Sequence, residues 1–176
     1  DIPFFAERVN VEELAEIEKK SIEETARNVR YSIFNKILVK VGAKKIAVAH
    51  NANDLAETII MNLTRGCGIN GLCGIKKENG NIIRPLLNIT RKEILEYVET
   101  NSLKVFFDKT NFETEYTRNR IRNIVIPELI KVNPSFVETI TRTAQILEGQ
   151  KNILYELVDS SYYEVCERKN VLNKEK

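Results

Sequence analysis

Apolar residues from Ile22 to Val41 recur at spacings of three and four, through Ala26, Val29, Ile33 and Ile37. That stripe predicts a long helix from about Val11 to Val41, stopped by Gly42. Before it, Ile2–Val9 reads as an edge strand, with Pro3 tolerated only at an edge or a strand start. After it, Ile46-Ala47-Val48-Ala49 is apolar at every position and ends at His50, the pattern of a central parallel strand covered on both faces. A second helix is expected over Ala52–Arg65, followed by the glycine-rich loop Gly66–Gly71. Ile82-Ile83 suggests a strand leaving through Arg84-Pro85-Leu86-Leu87 into a turn. Thr90 with Glu93 forms a capping box for a helix ending near Asn101. Val105-Phe106-Phe107 reads as a short strand ending at Asp108. This alternation predicts an α/β layer, part of a doubly wound parallel sheet, up to about residue 110. From Tyr116 the pattern is helical only. Pro134 opens a long helix through Val137, Ile140, Ala144, Leu147, Ile153 or Leu154, and Leu157, and the polar tail Lys169–Lys176 reads as frayed.

Composition narrows the class. At 176 residues, 43% hydrophobic and 30% charged, with 7 Gly and 4 Pro, the chain is neither disordered nor collagen-like. No apolar run approaches the ~20 residues of a membrane span, so a soluble, cytoplasmic protein is expected, with no membrane partner. Three cysteines without a CxxC pair argue against a disulfide framework or a zinc site, and the single His50 excludes a multi-histidine metal site. The net charge of +2 says little, but its distribution is uneven: Glu12–Glu24 is mainly acidic, while Arg118, Arg120 and Arg122 fall within five residues.

Candidate chemistry begins where the Ile46–Ala49 strand ends, because open α/β sheets bind ligands beyond the carboxyl ends of their strands. At about 100° per residue, Leu55, Ala56, Ile59, Ile60 and Leu63 share one face of the following helix, and Asp54, Glu57, Met61 and Arg65 the other. Two carboxylates in the first turn stay ionised and are able to hold an ammonium group or Mg²⁺; an acidic first turn also arises simply as a solvated complement to the helix dipole. Arg30 falls within the apolar stripe of the first helix and needs either a carboxylate such as Glu23 or an anionic ligand. Arg118 and Arg122 share one side of a helix, with Arg120 pointing away; such a cluster suits phosphate or is a solvated basic face. Arg65-Gly66-Cys67-Gly68 is a candidate anion nest, though it lacks the Gly-Lys-Ser/Thr ending of a P-loop.

The order of these signals is more specific than any one of them. Ala26-Arg27-x-x-Arg30-Tyr31, Ala49-His50-Asn51-Ala52-Asn53-Asp54-Leu55-Ala56-Glu57-Thr58 and Arg65-Gly66-x-Gly68-x-x-Gly71-Leu72 come first. Ile83-Arg84-Pro85-Leu86-Leu87, Asp108-x-x-Asn111 and Tyr116-x-Arg118-Asn119-x-x-Arg122 follow. The series, over about residues 1–150, resembles the tRNA(Ile)-lysidine synthetase family within the N-type ATP pyrophosphatases, or PP-loop proteins. The resemblance implies an adenine nucleotide alpha hydrolase-like fold, with residues 1–130 as the C-terminal part of the catalytic domain and 131–176 as a helical linker or the start of a second domain. It implies ATP and Mg²⁺ as cofactors, and as partners L-lysine and an isoleucine tRNA with a cytidine wobble base. The base is adenylated and lysine then displaces AMP, giving lysidine. By the same resemblance Asp54, Glu57 and Arg118 hold lysine and, with His50, form the catalytic set. Arg27 and Arg30, like His50, lie around the nucleotide or the reacting base; Arg65, Arg84, Arg120 and Arg122 contact phosphate or tRNA. No residue is assigned to a metal, and a homodimer is left open.

The chain departs from the family pattern at Asn51, Asn53 and Leu55, where His-His-x-Asp-Asp-Gln is the common spelling, and at Cys67, where a small hydroxyl residue is usual. The loss of a carboxylate at Asn53 weakens a two-carboxylate metal site. The family's Ser-Gly-Gly-x-Asp-Ser loop, which grips the ATP phosphates, is not in the sequence, so the chain is expected to be a fragment that does not turn over alone. Two other readings compete: an ATP-dependent tRNA thiolase, for which Cys67 and Cys73 are poorly spaced, and a non-catalytic RNA-binding module.

Overall fold

The structure is a computed structural model that describes residues 3–106, 117–168 and 171–172. The chain forms two compact units, Asp1–Val48 with Glu78–Ile83, and Ala49–Lys77 with Arg84–Lys176.

In the first unit, α1 (Val11–Glu18) and α2 (Ile22–Val41) replace the single long helix that the apolar spacing predicts. Local chemistry explains the break. Lys19 caps α1 in the left-handed region at φ 52°, and the Ser21 hydroxyl accepts the Glu24 amide at 3.2 Å to start α2. Gly42, at φ 66°, ends α2 as expected, with Ala43 donating back to the Leu38 carbonyl. The strands are short. Strand β1 (Ile46–Ala47) runs parallel to β3 (Ile82–Ile83), and β2 (Glu78–Asn79) is antiparallel to β3, in the order β1-β3-β2. Gly80, at φ 60°, makes the two-residue hairpin turn between β2 and β3 possible. Lys45 pairs with Glu78 and donates to the Gly80 carbonyl, pinning this hairpin beside β1. Only one parallel pair is present among the described residues, and Ala47 is exposed, so Ile46–Ala49 is not a covered central strand here. Residues 3–10 are irregular rather than an edge strand: they pair with no described strand, and Ile2 lies outside the described residues.

The second unit is helical. It contains α3 (Ala52–Arg65), α4 (Ile69–Leu72), α5 (Arg91–Thr100), α6 (Thr117–Arg120), a π-helical segment (Ile121–Val125), α7 (Ile126–Val132) and α8 (Phe136–Val165). The apolar face of α3 is the hub. Ala52 and Ala56 pack with Ile121, Ile126 and Val137; Leu55 and Ile59 pack with Leu87 and Ala144. Gly74 lies so close to α3 that a Cβ there would meet Leu55 Cδ1 at 2.6 Å, and its φ of 63° disfavours a side chain independently. The capping box of α5 forms as read, between Thr90 and Glu93.

Other expectations are corrected. Val105 and Phe106 are irregular and exposed, and the remainder of that predicted strand, with Asp108, Asn111 and Tyr116, lies outside the described residues. Pro134 precedes α8 by a turn. Of the α8 stripe, Val137 and Ala144 are buried and Ile140 and Leu147 partly so, but Ile153, Leu154 and Leu157 are exposed. After α8 the chain is not all helical, since β4 (Cys166–Arg168) pairs antiparallel with β5 (Val171–Leu172), the latter within the expected frayed tail; residues 169–170 and 173–176 lie outside the described set. Among the described residues, no helix is long and apolar enough to cross a membrane.

Candidate functional site

The start of α3 is built by an Asx cap that also fixes a carboxylate. The Asn51 side chain accepts the amides of Asn53 and Asp54 at 3.0 and 3.1 Å, and Asp54 Oδ2 accepts the Asn51 amide at 3.0 Å. This reciprocal box holds Asp54 in one rotamer, leaving Oδ1 to face elsewhere. One turn on, Glu57 shares that side of the helix but is only 1% exposed. A solvated acidic turn is therefore not what the fold makes of Glu57.

Two guanidinium groups reach these acids from α6 and the π-helical segment. Arg122 is bidentate on Glu57, with Nε donating to Oε1 at 2.6 Å and Nη2 to Oε2 at 2.9 Å. Arg118 Nε donates to Glu57 Oε2 at 2.9 Å. Both arginines also reach Asp54 Oδ1, Arg122 at 3.2 Å and Arg118 at 3.4 Å. The hydrogen bonds it donates to Glu57, reinforced by the charges of Glu57 and Asp54, raise the Arg122 guanidinium above its ordinary range despite its burial. Two negative and two positive charges thus close on each other, the condition under which carboxylates are tolerated in a dry setting.

The π turn explains how Arg118 and Arg122 face α3 while the chain stays packed. The Ile126 amide donates to the Ile121 carbonyl across five residues, which brings Ile121 and Ile126 to one buried face against Ala52 and Ala56. Arg118 and Arg122, a turn apart, flank Ile121 on that same face. The resemblance implies phosphate or tRNA for Arg122; the structure brings it with Arg118 onto Glu57, as their i,i+4 spacing allows. Arg120 is exposed, on the other side.

His50, at the entry to α3, meets a further buried arginine. Arg84 is 6% exposed, donates from Nη1 to the Lys76 carbonyl at 2.7 Å and from Nε to His50 Nδ1 at 3.2 Å. These contacts of the Arg84 guanidinium lie within the chain, where the resemblance implies contact with phosphate or tRNA. Arg65 is exposed at the end of α3; Gly66, Cys67 and Gly68 after it are irregular and exposed, and Ile69–Leu72 then forms a helical turn, with Asn62 donating to the Gly71 carbonyl. Arg27 and Arg30 belong to the first unit. Arg27 lies over the Tyr31 ring at 5.5 Å, and Arg30 is exposed beside a hollow lined by Val29 and Ile33, not buried in the helix stripe.

The donor set at α3 does not suit a protein-held Mg²⁺. Both carboxylates are engaged by guanidinium groups, and Asn53 Oδ1 accepts the Arg91 amide at 2.8 Å. No group of three or more potential metal-ligating side chains occurs among the described residues.

Comparison with known proteins places the sequence in a family. Residues 1–129 match the PP-loop domain. The tRNA(Ile)-lysidine synthase of Caldanaerobacter subterraneus subsp. tengcongensis is 45% identical over 170 residues, covering 95% of this chain and 36% of that protein. That of Thermosipho africanus is 46% identical over 142 residues, covering 81% of this chain and 33% of its own length. The chain therefore spans about a third of the length of these curated relatives. Among solved structures, the U34-tRNA thiolase NcsA from Methanococcus maripaludis with its [4Fe-4S] cluster superposes with a TM-score of 0.55 at 23% identity, covering 70% of this chain and 43% of that one, which shows a shared fold. With the domain match extending over most of the sequence and relatives this similar, the chain belongs to the PP-loop family.

Proposed function

We propose that this chain contributes the amino-acid pocket of a tRNA(Ile)-lysidine synthase, a ligase that joins lysine to the wobble cytidine of an isoleucine tRNA at the expense of ATP. The observation that carries the reading is the convergence of Asp54, Glu57, Arg118 and Arg122 on one point of α3. Lysine presents an ammonium and a carboxylate on its α-carbon. The acids suit the first and a guanidinium fork suits the second. Because the acids and guanidines already compensate each other, a zwitterion enters by exchanging ion pairs, with no bare charge left behind. Arg122, the more deeply engaged arginine, keeps Glu57 compensated while Arg118 turns to the carboxylate. The ε-amine is then left to attack the adenylated cytidine, and the N–C bond forms as the C–O bond to AMP breaks, with the amine proton lost.

ATP, which supplies the adenylyl group, is a substrate here, and Mg²⁺ is expected to arrive on its phosphates, not on Asp54 and Glu57. The reacting base must leave the anticodon stack to be reached. Arg27 and Arg30 remain candidates for the nucleotide or that base, and Arg65 and Arg120 for phosphate or tRNA. The short parallel pair β1-β3 fits a doubly wound sheet of the PP-loop kind, and a cytoplasmic setting fits a tRNA substrate. The test is incorporation of labelled lysine into isoleucine tRNA with a cytidine wobble base, by the chain joined to the family's Ser-Gly-Gly-x-Asp-Ser segment. Glu57→Ala and Arg118→Ala should each abolish incorporation. Survival of both would show that lysine binds elsewhere, and incorporation of sulfur from a donor in place of lysine would favour the thiolase.

A further inference from the structure

The first turn of α3 is tied sideways to the start of α5, and the tie is reciprocal. The Ala52 amide, first in α3, donates to the Ile89 carbonyl at 2.9 Å, and the Arg91 amide, first in α5, donates to Asn53 Oδ1 at 2.8 Å. Both are helix-start donors that have no acceptor inside their own helices. The α5 side of the tie stands on fixed ground. Thr90 is buried and closed by its box with Glu93, the Ile89 amide donates to the Leu86 carbonyl at 2.9 Å, and Leu87 belongs to the core. The Asn53 side chain takes no part in the Asn51–Asp54 box, where residue 53 supplies only its amide. Its oxygen is committed to the neighbouring helix instead.

Position gives this bond a reach beyond α5. At about 100° per residue, Glu57 lies about 40° round the helix from Asn53 and one turn on, and helical side chains lean toward the N-terminus. The Glu57 carboxylate therefore lies over the turn that Asn53 secures, where Arg118 and Arg122 each touch both Glu57 and Asp54 Oδ1. Movement of that turn changes the spacing of two acids that each guanidinium must meet at once.

We propose that Asn53 is a positioning residue: its bond to the Arg91 amide holds the first turn of α3 against α5, so that Asp54 and Glu57 stand in register for Arg118 and for lysine. The lysine part rests on the proposed function; the effect on Arg118 does not. A carboxamide suits the post, because it accepts a hydrogen bond as a carboxylate does yet leaves two acids facing two arginines.

Two substitutions separate positioning from general stability. Asn53→Ala removes the acceptor and keeps a good helix former, and Asn53→Asp restores an acceptor. In the ¹⁵N-labelled chain, the Arg91 amide and the Arg118 Nε–H should exchange with solvent about fivefold faster in Asn53→Ala, the scale of one lost hydrogen bond. Both should return to the wild-type rate in Asn53→Asp. In the chain joined to the phosphate-gripping segment, Asn53→Ala should raise the KM for lysine about fivefold, with kcat and the KM for ATP within about twofold of wild type, and Asn53→Asp should recover it. Wild-type exchange of the Arg91 amide in Asn53→Ala overturns the strap itself. Faster exchange at Arg91 with the Arg118 Nε–H unmoved overturns the positioning role, and an unchanged KM for lysine beside a faster Arg118 Nε–H overturns its extension to lysine. A wild type that ligates no lysine, in which Arg118 Nε–H still responds to Asn53→Ala, upholds the positioning of Arg118 and sinks the lysine reading alone.

Discussion

Glu57 carries three charge-assisted hydrogen bonds while almost closed to solvent, so its removal exposes the cost of the two arginines it neutralises. Glu57→Ala should destabilise the second unit by about 3–5 kcal/mol, the usual cost of breaking a buried ion pair from one side. Arg122→Ala should cost more than Arg118→Ala, because the Arg122 side chain is 17% exposed against 29% and grips Glu57 with two bonds rather than one. Chemical denaturation of the three variants checks the order; equal losses for the two arginines would show that the bidentate grip contributes nothing. At this scale the sequence carried much of the site. The identities of Asp54, Glu57 and Arg118 were readable from the motif order, and their convergence follows from α3 and the Arg-rich turn. The burial of Glu57 and the commitment of Arg84 to His50 were not readable, because both depend on chain segments far apart in sequence.

Helix ends decide much of the local structure, and they respond to pH and to single substitutions. The Glu93 carboxylate accepts the Thr90 hydroxyl and the Thr90 amide, each at 2.7 Å, which holds it below the ordinary carboxylate range. As pH falls, the unfolded chain binds the proton first, in the ordinary carboxylate range, so the cap's contribution is complete above the unfolded carboxylate value and is lost as pH falls through the folded one. Hydrogen-exchange protection at the Thr90 amide should therefore decline on acidification in wild type and stay level in Glu93→Gln, where no proton can bind; parallel behaviour would remove the carboxylate from the cap. At the start of α2, Ser21→Ala should cost about 1 kcal/mol, read as a lower denaturation midpoint, since the Glu24 amide loses its acceptor. The Ser21-x-x-Glu24 pair is in the sequence, but Val11, Leu14 and Ile17 recur three apart just ahead of the Ile22–Val41 stripe, so the two read as one helix despite the gap of five between Ile17 and Ile22. The π turn was hidden for a different reason: its signal is a single pair of apolar residues five apart, Ile121 and Ile126, which helical periodicity treats as noise.

Taken as a molecule, the chain divides its labour. The second unit has its apolar centre on α3 and places the charged cluster at the same helix, so stability and candidate chemistry share one element. The first unit leaves Phe4, Val39 and Val41 exposed and holds an apolar hollow of about 360 Å³ lined by Phe5, Phe34, Ile37 and Ile46. An environment-sensitive apolar dye should bind the chain in its native state, and Phe34→Ser should weaken that binding; no dye signal would mean that the hollow is closed in solution. The α/β class was legible from the alternation of elements, yet the described sheet is short, because Ile46–Ala49 and Val105–Phe106 find few pairing partners among the described residues. The account as a whole stands on lysine entering at Glu57 and Arg118. Its most direct measurement separates the two half-reactions in the chain joined to the phosphate-gripping segment: adenylation of tRNA by ATP, and transfer to lysine. Arg118→Ala should leave adenylation within about twofold of wild type while slowing lysine transfer by about 100-fold or more, the loss of a bidentate charged contact made to lysine alone. Lysine transfer at the wild-type rate in Arg118→Ala, with adenylation also intact, would contradict it.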